Sequence, residues 1–242
     1  SKLIAKENPD IIIGYNIMGF DWLFMYTRAE ELNCVKPFLT IGRNAKEVCL
    51  SRKWNWRKKC EEYGMETNTI FIASGQHDLK FIKMPGRIQI DLYNYFRREF
   101  QLTQYKLDYV AGYFIGDSVK NIEHSDGRTK ITSGNLTGLE VGNYITFEEE
   151  AHSTDSYKGG QKFQVTQIDG KCFWINSHEQ PDMNKRVRWG LAKDDVTPQD
   201  IFRMTNEGPK ERAIIAKYCI QDCNLVHHLM RKIDVMTGFS EM

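Results

Sequence analysis

Long apolar runs are absent from this sequence of 242 residues. No stretch approaches the ~20 consecutive apolar residues that a membrane-spanning helix requires. In residues 1–6, lysines interrupt the short apolar stretch, which is not the pattern of a secretory signal. We therefore expect neither a membrane partner nor a signal peptide.

Net charge and cysteine are also low. The formal net charge is +1, which neither supports nor excludes nucleic acid, because a local basic groove suffices for phosphate contacts. The six cysteines are irregularly spaced, which favours reduced thiols over a disulfide framework. With 41% hydrophobic and 27% charged residues, the composition is typical of one large globular domain or two small ones. The chain begins with Ser1, from which we expect a segment of a longer protein.

Residues 8–32 contain the first candidate site. The turn pair Asn8-Pro9 precedes three isoleucines that end in Ile13, a run typical of a buried strand. Beyond Gly14 the chain crosses to a helix that begins near Asp21. A strand end that delivers a carboxylate to a helix start often forms a site in α/β sheets. The alternative is that Asp21 only caps the helix.

A second candidate site lies on the predicted helix that follows residue 209. Tyr218 and Asp222 are four residues apart, so both side chains project from one helix face. A buried tyrosine beside a surface aspartate is the alternative. Cys219, Cys223 and His227 follow the same spacing and are a candidate zinc stripe, although no fourth ligand stands at a convincing distance.

These two segments resemble known sequence motifs. Tyr15-Asn16, followed by Phe20-Asp21, is similar to the second exonuclease motif of family B DNA polymerases, and residues 217–223 are similar to the third. Residues 85–92 and 105–111 resemble the delta-like polymerases of eukaryotes and large DNA viruses. The matches follow the family's order over about two-thirds of the chain. The chain therefore resembles the exonuclease domain of a delta-like polymerase, and the segment between the motifs favours a large eukaryotic DNA virus as its source.

The resemblance implies a ribonuclease-H-like α/β exonuclease fold whose N-terminal strands are missing here. It implies proofreading 3′→5′ hydrolysis of DNA and, in the parent chain, templated DNA synthesis. Asp21 and Asp222 are the implied ligands of two Mg²⁺ or Mn²⁺ ions, and Tyr218 is implied to orient the attacking water. Asn16 and Phe20 match residues that contact the primer terminus and its terminal base. The implied partners are single-stranded primer 3′ ends and the remainder of the polymerase, with a processivity factor as a further candidate.

One part of the family pattern is missing. The family's first exonuclease motif is Asp-x-Glu, and no aspartate in this chain is followed two positions later by glutamate. We therefore expect truncation at both ends, and near inactivity of the isolated 242 residues. The rival hypothesis is a non-catalytic module that binds DNA or a replication partner. As a polymerase the protein would act in the nucleus or at a viral replication site.

We divide the chain into exonuclease residues 1–119, an inserted β subdomain at 120–196, and C-terminal exonuclease helices at 197–242. The middle part has many turn pairs and predicted strands at 144–148, 162–168, 172–175 and 186–189, which indicates a small barrel or twisted sheet. Its basic and aromatic residues are either a binding face or plain structural elaboration; they are Trp174, Lys185, Arg186, Arg188 and Trp189.

Two further segments are candidate DNA contacts. Strands 69–73 and 79–83 predict a hairpin whose polar tip includes Gly75, Gln76 and His77. In this family a hairpin at this place helps part primer from template; a plain surface hairpin is the alternative. Residues 43–59 place basic residues around Trp54 and Trp56, which favours either nucleic-acid contact or a surface segment with both indoles turned inward. The basic residues are Arg52, Lys53, Arg57, Lys58 and Lys59.

Asp91 ends a predicted core strand at 87–92 that places Ile88, Ile90 and Leu92 on one face. A helix at 93–100 follows it. A metal-ligand role is conceivable for this carboxylate, but helix capping fits its position better.

Overall fold

The computed structural model describes residues 1–44, 47–57, 59–72, 75–192 and 196–240. The chain forms two compact units, Ser1–Tyr105 and Lys106–Met242, and each is described by itself. Among the described residues, no helix combines the length and the hydropathy that crossing a bilayer requires.

The first unit contains four helices and six short strands among its described residues. Its helices are α1 (Lys2–Glu7), α2 (Trp22–Glu31), α3 (Val35–Phe38) and α4 (Leu92–Glu99), and a π-helical turn covers Ile17–Asp21. Its strands are β1 (Ile11–Gly14), β2 (Ser51–Asn55), β3 (Cys60–Gly64), β4 (Glu66–Ile72), β5 (Gly75–Phe81) and β6 (Ile88–Asp91).

Strands β1 and β6 form a parallel pair in which Ile11 lies opposite Ile88 and Gly14 opposite Asp91. The isoleucine run thus forms the expected strand. Ile90 and Leu92 are buried, whereas Ile88 is 60% exposed in this chain, so one of the three expected core positions was wrong. The adjacent core consists of buried residues from α2 and the connecting segments: Trp22, Leu39, Ile41, Cys49, Ile82 and Met84.

A buried arginine secures the start of the parallel pair. The guanidinium of Arg87 donates from Nε to the carbonyl of Ile41 at 2.9 Å and from Nη1 to the carbonyl of Pro9. Arg43 pairs with Asp10 nearby. These bonds satisfy a charge that would otherwise be costly to bury, and they tie three chain segments together.

The two hairpins differ from expectation in register and exposure. β4 and β5 pair with Ile72 opposite Gly75, so Gly75, Gln76 and His77 belong to strand β5 rather than to a polar tip. Ala73 and Ser74 lie outside the described residues.

In the β2–β3 hairpin Trp54 is 51% and Trp56 83% exposed, which makes the inward orientation wrong. Residue Lys58 and the side chains of Arg52 and Lys53 also lie outside the described part.

The second unit is mainly a β structure flanked by helices. Its strands are β7 (Gly116–Ser125), β8 (Arg128–Ser133), β9 (Tyr144–Glu150), β10 (Thr154–Ser156), β11 (Phe163–Asp169), β12 (Cys172–Ile175) and β13 (Arg186–Ala192). Its helices are α5 (Leu107–Phe114), α6 (Pro198–Glu207), α7 (Pro209–Lys232) and α8 (Val235–Ser240). Strands β7, β8 and the short β10 were not expected. Of the four predicted strands, β12 has the predicted bounds, β11 is shifted by one residue, and β9 and β13 extend further than predicted.

Six of these strands close into a ring. The order is β9-β11-β12-β8-β7-β13, and β13 pairs again with β9, every pairing being antiparallel. We call this ring the barrel. Alternate residues point inward and fill it with apolar side chains, among them Ile131, Phe147, Phe173 and Trp189, each with no exposed surface. Closure leaves these strands without a long unpaired edge.

Helix α5 approaches strand β13 unusually closely. A Cβ atom on Gly112 of α5 would stand 2.9 Å from the carbonyl oxygen of Leu191, and one on Gly190 would stand 2.8 Å from that of Gly112. Side chains at these glycines would separate helix from strand. The N–H of Leu191 on β13 also donates to the carbonyl of Ile115, the residue after α5, at 2.9 Å.

The C-terminal helices α6 and α7 begin at residues that favour helix starts. Thr197 caps α6 in a capping box with Asp200, and Pro209 opens α7. On α7, Leu229 is fully buried, whereas Ile214 is 52% exposed in this chain.

A polar network crosses the barrel wall. The indole Nε1 of buried Trp189 donates to the hydroxyl of Ser133 at 2.9 Å, and this hydroxyl donates to Asp117 at 2.9 Å. The same carboxylate accepts the N–H of Asn135 at 2.8 Å. Partial burial raises the pKa of Asp117, but hydrogen bonds from Ser118, Ser133, Gly134 and Asn135 outweigh it and hold the pKa below its ordinary value.

We expect Asp117→Asn to destabilise the second unit at neutral pH. Because the folded-state pKa of Asp117 lies below the unfolded one, its contribution is complete above the unfolded pKa of about 4 and is lost as pH falls through the folded value. Urea unfolding at pH 7 and near pH 3 therefore gives a gap in free energy between wild type and variant that narrows in acid. The exposed Asp126→Asn serves as control, and a gap of constant size at both pH values would contradict the assignment.

Candidate active site

Asp21 is the last residue of the π-helical turn and stands at the position before α2. Its backbone is already helical, at φ −64° and ψ −45°, and its side chain makes no capping hydrogen bond. The capping interpretation is therefore wrong for this residue. Burial raises the pKa of Asp21, with a smaller opposing effect from its own backbone N–H. The carboxylate is thus partly desolvated and not used to begin the helix.

Asp91 has the capping role and a second one. Its carboxylate accepts the N–H of Tyr93 at 3.1 Å, which confirms the cap on α4. It also accepts the N–H of Asn16 at 2.7 Å and of Met18 at 3.0 Å. Burial raises its pKa, these hydrogen bonds oppose that shift, and the charge of Asp21 adds to it. Asp91 therefore positions the turn that carries Asn16 and Asp21, a role that sequence reasoning missed.

Asn16 has the left-handed backbone conformation, with φ 62°. Asparagine tolerates this conformation better than most residues because its short amide can bond locally. Its amide lies directly over Gly19, where an added Cβ would stand 2.2 Å from Oδ1. The glycine therefore makes room for the Asn16 side chain.

Phe20 presents an exposed aromatic face beside Asp21. It is 60% exposed and stacks on Phe24, which is also 60% exposed, with ring centroids 5.8 Å apart and planes at 11°. Exposed stacked rings are suited to stacking with nucleic-acid bases. Sequence reasoning missed Phe24, although its spacing of four residues from Phe20 places both on one helix face.

The hairpin candidates have different environments. Gln76 is exposed on β5, and Gly75 has a φ of 116°. The His77 ring lies against Arg97, with Nε2 and the guanidinium Nη2 3.0 Å apart. This contact fixes the imidazole to α4, so Gln76 is the more accessible of the two side chains.

Tyr218 and Asp222 occupy successive turns of α7, as expected. Both line a groove of about 380 Å³ between α7 and the loop of residues 138–144, within the range of about 300–1,000 Å³ typical of small-molecule sites. We call this the α7 groove. Oε1 of Glu140 on the loop and Nε2 of His228 on α7 lie 3.1 Å apart, and this contact connects the two walls of the groove.

The structure thus places Asn16, Phe20 and Asp21 together in the first unit, and Tyr218 and Asp222 together in the second. The described residues contain no group of three or more His, Cys, Asp or Glu side chains gathered to hold a metal ion. That gives no support to the zinc alternative at Cys219, Cys223 and His227. Asp21 and Asp222 nevertheless supply carboxylate oxygens, the donors that Mg²⁺ and Mn²⁺ prefer.

Comparison with known proteins agrees with the motifs. Residues 1–110 match the sequence family described as DNA polymerase family B, exonuclease domain. A DNA polymerase of Phaeocystis pouchetii virus is 45% identical over all of this chain and 23% of its own length. A DNA polymerase of Pyramimonas orientalis virus is 36% identical over 98% of this chain and 17% of its own length.

Cellular relatives match a smaller part. The DNA polymerase delta catalytic subunit of Oryza sativa subsp. japonica is 32% identical over 50% of this chain and 10% of its own length. The chain spans about a fifth of the length of the viral relatives. The expected resemblance and its viral leaning are therefore confirmed, and the chain belongs to family B of the DNA polymerases, within the region of the exonuclease domain.

Proposed function

We propose that this chain is most of the proofreading 3′→5′ exonuclease domain of a delta-like viral polymerase, which hydrolyses phosphodiester bonds at primer 3′ ends. The observation that carries the proposal is the state of Asp21. Its carboxylate stands at the head of α2, is not used as a cap, and is positioned by a turn that Asp91 holds. A carboxylate held in this way, without a capping hydrogen bond, is suited to binding a ligand.

The proposed fold is ribonuclease-H-like, with an insertion at 120–196 between exonuclease parts at 1–119 and 197–242. This insertion corresponds to the barrel, whose first strand begins at Gly116. The parallel pair β1–β6, whose ends meet at Gly14 and Asp91, is consistent with an α/β exonuclease sheet. The family match ends at residue 110, before the barrel begins. Relatives named as delta subunits cover about half of the chain, whereas viral relatives cover nearly all of it.

Asp21 and Asp222 would hold Mg²⁺ or Mn²⁺. When bound, such ions offset phosphate charge and make water a stronger nucleophile. The Tyr218 hydroxyl, one turn from Asp222, would orient the attacking water. Two carboxylates are only part of a two-metal ligand set, and Asp-x-Glu is absent from these 242 residues.

The remaining candidates would hold DNA. The amide of Asn16 would contact the primer terminus, and Phe20 with Phe24 would stack on its terminal bases. Gly75, Gln76 and His77 on β5 would contact DNA near the point where primer and template part. Gln76 would do so directly, because His77 is engaged with Arg97.

The proposed partners are DNA and the remainder of the polymerase chain, and a processivity factor is a further one. The site of action would be the nucleus or a viral replication site in the host cell. A second candidate function is that of a non-catalytic module that binds DNA or a replication partner. It is favoured if the complete protein, like these 242 residues, contains no Asp-x-Glu.

In the complete polymerase, Asp21→Asn and Asp222→Asn should each lower excision of a mispaired primer end on the order of 100-fold, because each removes a charged metal ligand. Templated synthesis should be unchanged. Excision is measured on a mispaired primer with Mg²⁺, and Asp126→Asn, in an exposed turn, is the matched control. Excision at the wild-type rate in both variants would rule out the proposed site.

The isolated 242 residues should excise single-stranded DNA far more slowly than the complete polymerase, because their ligand set is incomplete. The comparison uses equal concentrations of both proteins with Mg²⁺ or Mn²⁺. Polymerase-like rates in the isolated chain that Asp21→Ala abolishes would show that the missing motif is dispensable.

Gly19→Ala and Asn16→Gly test the Asn16 contact in complementary ways. The first pushes the amide aside, and the second removes it while keeping a residue that accepts φ 62°. Loss of one hydrogen bond to the primer end predicts a fall in excision of about tenfold for both. Gly64→Ala, where an added Cβ meets nothing within 4 Å, is the control. Normal excision in Asn16→Gly would exclude the contact.

A further inference from the structure

Besides Tyr218 and Asp222, the α7 groove is lined by apolar and amide side chains that the proposed hydrolysis does not use. We infer that it binds one nucleobase of single-stranded DNA, so that the barrel supplies one wall of the surface that holds the primer strand. The inference rests on the proposed exonuclease function only in naming which strand supplies the base.

The groove offers apolar contact from both of its walls. Val141 belongs to the loop of residues 138–144 and Ile220 to α7, and each is 61% exposed. Both side chains line the groove. Exposed aliphatic groups on facing elements match the two faces of a planar base, which proteins commonly hold between apolar or aromatic side chains.

The groove also offers amides for the edge of a base. Gln221 and Asn224 line it from α7, and Gln164 lines it from β11. An amide carries both donors and acceptors, which match the mixed donors and acceptors of base edges. The Gln164 amide is anchored, because its Nε2 donates to the carbonyl of Gly142 at 3.4 Å.

Charge favours a base over a phosphate in the interior of the groove. The carboxylates of Glu140 and Asp222 both line it and, when no metal ion is bound, would repel a phosphate group. Lys217 is the lysine that lines the groove, and it is the first of the α7 residues that do so. It is placed to contact the backbone phosphate of the nucleotide whose base enters.

The barrel wall of the groove is already formed without DNA. Asn143 accepts the N–H of Glu140 on Oδ1 at 2.8 Å, and its backbone carbonyl accepts the N–H of Val165 at 2.8 Å. Gly142 donates back to Val165 at 2.8 Å. A wall fixed in this way loses little conformational entropy when a ligand binds.

The test is binding of two probes to the complete polymerase in the presence of EDTA. The probes are fluorescein-labelled oligothymidylate of about eight nucleotides and an abasic strand of equal length. Val141→Ser and Ile220→Ser should each weaken oligothymidylate binding about fivefold, because each removes apolar contact with the base. The abasic strand should bind all proteins alike. Met183→Ser, an apolar residue of the second unit that is 44% exposed and outside the groove, is the matched control.

Two outcomes would overturn the inference. Unchanged oligothymidylate binding in both groove variants would show that no base enters. An equal loss on both probes would show a phosphate contact or a folding defect, and the thermal unfolding midpoint separates these two causes. Because no metal is present, the result does not depend on metal binding by Asp21 and Asp222. If substitution of those residues left excision intact, the exonuclease assignment would fail. The difference in binding between the two probes would still test whether the groove binds a base.

Discussion

The geometry of the first unit depends on one buried carboxylate. Asp91 accepts the N–H groups of Asn16 and Met18, 75 and 73 residues away in sequence. This is possible because β1 and β6 are parallel and in register, so that Gly14 and Asp91 lie side by side. The chain that leaves β1 must pass the Asp91 side chain and is held there. The turn that carries Asn16, Phe20 and Asp21 therefore takes its position from the sheet.

The same arrangement gives two neighbouring aspartates different roles. Asp91 is surrounded by N–H donors from Asn16, Met18, Tyr93 and the Asn94 amide, which compensate for burying its charge. A carboxylate saturated in this way has little capacity left for a metal ion. Asp21 is less buried and makes no capping bond, so its oxygens remain suited to a hard cation. Environment, rather than residue type, separates the positioning aspartate from the candidate ligand.

Local signals predicted much of the secondary structure. The isoleucines of β1, the Asp91 cap of α4 and the helix that carries Tyr218 and Asp222 each depend on residues close in sequence, and each was found. Strand β7 was missed because its pairing register shifts between Val119 and Asn121, which breaks the alternation that marks a strand. Strand β8 was missed because Ile131 is its one apolar residue, so the sequence shows no apolar alternation there. The second role of Asp91 was missed for a different reason. It depends on a strand pairing that no local pattern contains.

Closure of the barrel explains how a β structure can contribute to a site on a helix. A closed ring has no long edge that must be covered, so the loop of residues 138–144 is free to face α7. The glycine contact between α5 and β13 and the pair between Glu140 and His228 then hold helices and barrel together within the second unit. Tyr218 and Asp222 consequently face a wall whose shape is set by strand pairing. Because the barrel wall of the groove is rigid, it favours a ligand whose shape already fits the groove. A planar base with polar edges fits the side chains that line it.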